Sequence, residues 1–218
     1  MRNRFAMVLA LIVVFGLSAN AWSRSSYNPY TPPPPPTPKI NLPGPADTFQ
    51  INFMANLNIG DSVINISNAG TQNGYHPDGN LCVGVYVFDP DEEMAACCSC
   101  MVTPNALMSL SGRSDLIANT LTGVIPTSIT VKLLATLPVA GRCNAAYTTP
   151  TLAAGMRAWG TTLHALPTSP VTYGLTQSEF SPAVLSATEL ENLTTTCGFI
   201  QTTGSGFGIC RSCRIGGL

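Results

Sequence analysis

The chain has 218 residues, of which 10% are charged and 7% aromatic, and its formal net charge is −1. That length holds one domain of good size together with processing and linker segments. No cluster of Lys and Arg occurs beyond the N-terminus, so the phosphate-neutralising surface that nucleic-acid binding requires is missing.

Arg2 and Arg4 precede the apolar run Ala6 to Leu17, and Ala19-Asn20-Ala21 supplies the small residues that a signal peptidase accepts. A cleaved signal peptide over residues 1–21 is expected, with Trp22 as the first mature residue. A retained membrane anchor is the alternative, but the apolar run is short for a span of about 20 residues, so no membrane span is expected after cleavage. Residues 22–46 carry the unbroken run Pro32 to Pro36 with Pro29, Pro38, Pro43 and Pro45 around it. Such a segment cannot donate ladder hydrogen bonds and is expected to act as an extended linker.

The folded domain is expected over residues 47–218. Phe49, Ile51, Phe53, Ala55 and Leu57 alternate with Gln50, Asn52, Met54, Asn56 and Asn58, the pattern of a strand with one buried face. A second strand is expected over Ser62 to Ser67, followed by a long loop in which Asn73-Gly74 and Asp78-Gly79 are turn dipeptides. Leu81 to Phe88 is apolar on both alternating faces, as in a central strand buried on each side, and Asp89-Pro90 stops it. An acidic turn and a knot of cysteines follow. Ala106 to Ser111 and Asp115 to Leu121 are short strand or turn candidates. Ser128 to Leu137 reads as a one-sided strand, and Leu152 to Leu166 and Val171 to Thr176 as two more, separated by Pro167 and Pro170. Six to nine short strands with turns between them, in a low-charge chain rich in Thr and Asn, predict a mainly β fold: an antiparallel β-sandwich stapled by disulfides.

One α-helix is expected at the C-terminal end, about 186–203. Ser186-Ala187-Thr188-Glu189 is a capping box, and Leu190, Leu193, Cys197 and Ile200 then recur at helical spacing, which places a thiol against the body of the protein. Gly204, Gly206 and Gly208 end the helix ahead of a Cys-rich tail. The CCSC run at Cys97 to Cys100, the strand-rich region after it, and the capped helix ending in GSGFGICRSC together resemble a family of cysteine-rich exported proteins of soil bacteria. The resemblance implies export and a shared fold, and it implies no activity.

The chain has eight cysteines: Cys82, Cys97, Cys98, Cys100, Cys143, Cys197, Cys210 and Cys213. An even count in an exported chain predicts four disulfides. A zinc or iron site built from Cys97, Cys98, Cys100, Cys210 and Cys213 is the alternative. A redox role for Cys210 and Cys213 is disfavoured, because only five residues follow Cys213 and leave no room for the helix that would activate a thiolate. Connectivity is open, since eight cysteines allow about 105 pairings; Cys210 and Cys213 are expected to bond to other segments and clasp the tail.

Asp89, Asp91, Glu92 and Glu93 are a weak acidic-loop candidate. Calcium suits such oxygens, but the spaced ligands of an EF-hand loop are absent, and a solvated turn accounts for the run as well. No nucleophile elbow, zincin motif or phosphate loop occurs, and no catalytic residue, cofactor or metal is assigned. His76 lies in a turn-rich loop and His164 in a strand, beside no motif. These features predict a non-enzymatic extracellular structural or binding protein, secreted or held at the cell surface or in the periplasm, whose strands present Thr and Asn to a cell-envelope or extracellular partner. The alternatives are a carbohydrate-binding module, with Tyr75, Tyr147 and Trp159 as aromatic candidates, or a secreted carboxylate-dependent hydrolase.

Overall fold

The computed structural model describes residues 47–72, 79–166, 168–170 and 172–211. The signal peptide and linker expected over 1–46, together with Tyr75, His76 and Cys213, lie outside the described residues.

The fold is a mainly antiparallel β-sandwich with one C-terminal helix. Its centre is β3 (Leu81–Phe88), buried over Leu81 to Val87. It is flanked by β4 (Met94–Val102) and β6 (Ile129–Thr136). With β1 (Phe49–Met54) and the two-residue β9 (Ser181–Pro182) they form a five-stranded sheet in the order β4-β3-β6-β1-β9. The second sheet has the order β5-β2-β7-β8, from β5 (Leu107–Ser111), β2 (Ser62–Asn68), β7 (Met156–Ala165) and β8 (Tyr173–Glu179). Phe180, buried between β8 and β9, marks where the chain passes from one sheet to the other.

Two apolar layers explain why β3 carries no polar face. Val83, Val85 and Val87 pack with Leu133, Ile64, Ile66 and Met156 between the sheets. Tyr86 turns to the opposite side and meets Leu134, Leu193, Cys197 and Ile200 beneath the helix α1 (Ala187–Thr202). The expected helix stripe of Leu190, Leu193, Cys197 and Ile200 is buried, and Thr194 joins it. Ser186 caps the helix by accepting the Glu189 N–H at 3.0 Å. The Glu189 carboxylate, expected to close a capping box, instead accepts from Lys132 Nζ on β6 at 2.6 Å.

One local expectation is corrected. In β1 the apolar set does not form one buried face: the strand ends at Met54, and Phe53 is 62% exposed. The helix covers Phe49 and Ile51 only, while the polar side of the strand lies in the sandwich. There Gln50 is buried because its amide donates to the carbonyls of Met156 and Asp47, each at 3.0 Å. A satisfied amide costs little to bury. Of the strand or turn expected over Asp115 to Leu121, the turn is what forms. Gly112–Leu116 forms a single helical turn, with Ser111 Oγ accepting the Ser114 N–H and Asp115 Oδ2 accepting the Ser111 N–H. The cysteine cluster lies within β4, paired with β3 from Leu81–Val102 to Phe88–Met94.

Candidate functional site

The described cysteines are structural. Disulfides join Cys82 to Cys143, Cys97 to Cys197 and Cys98 to Cys210, and Cys100 is disulfide-bonded as well. Successive strand residues point to opposite faces, and the vicinal pair in β4 uses this. Cys97 reaches α1 in the outer layer, while Cys98 lies in the sandwich interior and holds the segment after the helix. A sulfur already in a disulfide is not a thiolate ligand, and no group of three or more His, Cys, Asp or Glu among the described residues could hold a metal.

The acidic run is the β3–β4 turn. Asp89 Oδ1 accepts the backbone N–H groups of Asp91 and Glu93, each at 3.0 Å, and the Asp89 N–H donates to the Glu93 carbonyl at 3.0 Å. Glu92 occupies the left-handed region with φ 68°, while Asp91, Glu92 and Glu93 face solvent. The one carboxylate with defined partners, Asp89, is therefore engaged in shaping its own turn. Beside it, Lys132 lies 4.5 Å from the centre of the Phe88 ring and pairs with Glu189.

His164 does not present a free imidazole. Its Nδ1 faces Asn56 Nδ2 at 2.8 Å and its Nε2 faces Thr176 Oγ1 at 2.8 Å. An amide nitrogen can only donate, so Nδ1 accepts and the ring proton sits on Nε2. Asn56 is in the left-handed region, φ 61°, and the histidine ties that turn to β8.

The arrangement that does gather exposed chemistry is the outer face of the four-stranded sheet. The inner face carries Ile64, Ile66, Leu110, Met156 and Ala158. The cross-strand register then fixes the outer rows. Ser109, Asn65, Trp159 and Glu179 stand side by side across all four strands, and Ser111, Val63, Thr161 and Gln177 form the next row. Beyond them Leu163 pairs with Leu175, and Ala165 with Tyr173. Neighbouring side chains within a row are about 4.8 Å apart and rows about 6.6 Å apart. The alpha helix covers the other sheet, which leaves these rows outward. Trp159 is half-buried and Tyr173 is 53% exposed. They lie six residues apart along the ladder, about 20 Å. Ser109 Oγ donates to Asn65 Oδ1 at 2.6 Å, which uses the Asn65 oxygen as acceptor and not its amide donors.

Of the three aromatics expected to mark a carbohydrate face, Trp159 stands on this one, while Tyr147 lies elsewhere, beside the Cys82–Cys143 bridge. Tyr173, Ser109 and Gln177 were not singled out by the sequence. The signal that reaches Tyr173 is the Pro-marked loop after β7: once β7 and β8 form a hairpin, counting back from that loop brings Tyr173 onto the side of Trp159. No family model, curated protein or solved structure matches the chain.

Proposed function

We propose that this is an exported protein, as the resemblance of its cysteine motifs implies, and that it is a non-enzymatic binding protein that holds an extended carbohydrate chain on the outer face of the four-stranded sheet. The observation that carries the reading is the row Ser109, Asn65, Trp159 and Glu179 with Tyr173 two rows beyond the next one. Sugar rings present C–H faces that pack on aromatic rings and hydroxyls that both give and take hydrogen bonds. A sheet face bearing one indole, one phenol and interspersed amide and hydroxyl groups meets both demands along a linear ligand. Glu179 is the one carboxylate in these rows, whereas glycoside hydrolysis by the usual route needs two acids about 5 to 9.5 Å apart across the bond.

Export is supported by the three defined disulfides, since oxidising compartments are where such bridges persist. Among the described residues no helix is long and apolar enough to cross a membrane. The test is retardation of the purified mature protein in native gels cast with soluble β-glucans, xylans, mannans and pectins, alongside pull-down on cellulose and chitin. Binding to at least one polymer, lost in Trp159→Ala and accompanied by no release of reducing ends, is the expected result. Release of reducing ends would favour the hydrolase reading.

A further inference from the structure

A second site of different chemistry lies at the far side of the five-stranded sheet. The segment after β6 folds back there over the start of β3 and encloses an open cavity of about 670 Å³, within the 300 to 1,000 Å³ typical of small-molecule pockets. Its walls are held at several points. Val139 and Arg142 exchange backbone hydrogen bonds at 3.0 Å in both directions across Ala140 (φ 51°) and Gly141 (φ 72°), a two-residue hairpin turn whose positive φ values match strand twist. Cys143, next in the chain, is bonded to Cys82 at the start of β3. Further on, the buried Tyr86 hydroxyl donates to the Ala145 carbonyl at 2.8 Å. The loop is thus pinned on both sides of the cavity, so a ligand would meet a preformed wall and little ordering cost.

The lining has two characters. Leu137, Val139, Tyr147 and Pro150 give an apolar body, and among the described lining residues Arg142 is the one charged side chain, with no carboxylate beside it in that set. An apolar cavity with a single exposed guanidinium at its wall is complementary to an amphiphile with one anionic head. We propose that this cavity binds a small carboxylate with an apolar tail, a medium-chain fatty acid in class, with Arg142 engaging the carboxylate and the Leu137–Val139 side receiving the chain. Guanidinium pairs with carboxylate through two parallel N–H donors, a match that an alcohol or a quaternary ammonium of equal chain length lacks. The site is independent of the sheet face and takes a ligand that the face does not suit.

The experiment is titration calorimetry of the mature protein with decanoate, decanol and decyltrimethylammonium. Decanoate should bind saturably at one site per chain. Decanol should bind at least about tenfold more weakly, the worth of a charged hydrogen-bonded pair, and the ammonium more weakly still. Arg142→Gln, at an exposed position whose fixed contacts are backbone ones, should lower decanoate affinity by the same factor while leaving decanol binding unchanged. Val139→Asp should abolish decanoate binding, and Trp159→Ala should leave it intact. Absence of saturable decanoate binding, equal affinity for decanoate and decyltrimethylammonium, or an Arg142→Gln variant that binds decanoate like the parent would each overturn the proposal.

Discussion

The Cys97–Cys197 bridge is the strongest constraint on how α1 sits, and removing it gives a magnitude that the structure sets. The bridge spans 100 residues, and a loop of that size corresponds to about 4.7 kcal/mol of unfolded-state entropy. That figure overstates the effect here, because Cys98–Cys210 remains in the variant. Cys97 is next to Cys98, and Cys197 lies 13 residues before Cys210, so in the unfolded chain the two positions are already joined by a path of about 15 residues, worth about 3 kcal/mol. Both cysteines are fully buried, and trimming two sulfurs to methyl groups adds about 1 kcal/mol of lost packing. Cys97→Ala with Cys197→Ala should therefore cost roughly 3 to 4 kcal/mol. With a guanidinium m-value of about 4 kcal/mol per molar, the unfolding midpoint should fall by about 0.7 to 1 M. Circular dichroism melts in guanidinium measure it, and hydrogen exchange on α1 should show protection lost there before it is lost in β3. A cost below about 1 kcal/mol, with α1 as protected as before, would mean that packing alone, and not the bridge, fixes the helix.

Burial raises the Tyr86 phenol well above the ordinary tyrosine value. The unfolded chain releases that proton near pH 10, so above this pH the folded state holds more protons than the unfolded one. The contribution to stability is complete below pH 10 and is lost as pH rises through it, at about 1.4 kcal/mol per pH unit. Tyr86→Phe should remove that alkaline loss and cost about 1 kcal/mol at neutral pH, where the Ala145 carbonyl loses its donor; unfolding curves at several pH values compare the two. Gly160→Ala places a methyl group 3.0 Å from Asn52 Nδ2 and 3.2 Å from Met54 Cε on the facing sheet. It should destabilise by about 1 to 2 kcal/mol through overpacking, read as a lowered midpoint in the same melts. Asp89→Ala should cost about 1 kcal/mol and Asp89→Asn much less, because what the turn uses is an acceptor for two N–H groups. Neither change at Asp89 should alter polysaccharide binding.

What could be read from the sequence was whatever depends on local period. Leu81 to Phe88 is apolar at every position but a glycine, so its burial on both sides follows without knowing its neighbours. Ser186 and the spacing of Leu190, Leu193, Cys197 and Ile200 likewise define α1. β4 was opaque because Met94-Ala95-Ala96-Cys97-Cys98-Ser99-Cys100 has no β-branched residue and no alternation. Small side chains are what its place between two covered faces requires. The inner side of β1 was misjudged because Gln50 looks like a solvent residue until the Met156 carbonyl, 106 positions away, is brought beside it. The candidate site has the same character. Trp159 could be picked out as an aromatic, but its row partners Asn65 and Ser109 are defined only by strand order and register, and Tyr147, chosen on the same grounds, belongs to a different surface.

If the outer sheet face is the binding surface, the affinity of the mature protein for its best polysaccharide should depend on the aromatic residues of that face. Trp159→Ala and Tyr173→Ala should each weaken binding by at least about tenfold, as expected when a stacked ring worth about 1.5 kcal/mol is removed. Both variants should melt within a few degrees of the parent, since neither ring is in a core cluster, and Tyr147→Ala should bind the polymer as the parent does. Full polysaccharide affinity in the Trp159→Ala, Tyr173→Ala double variant, with its fold intact, would show that this face is not the binding surface.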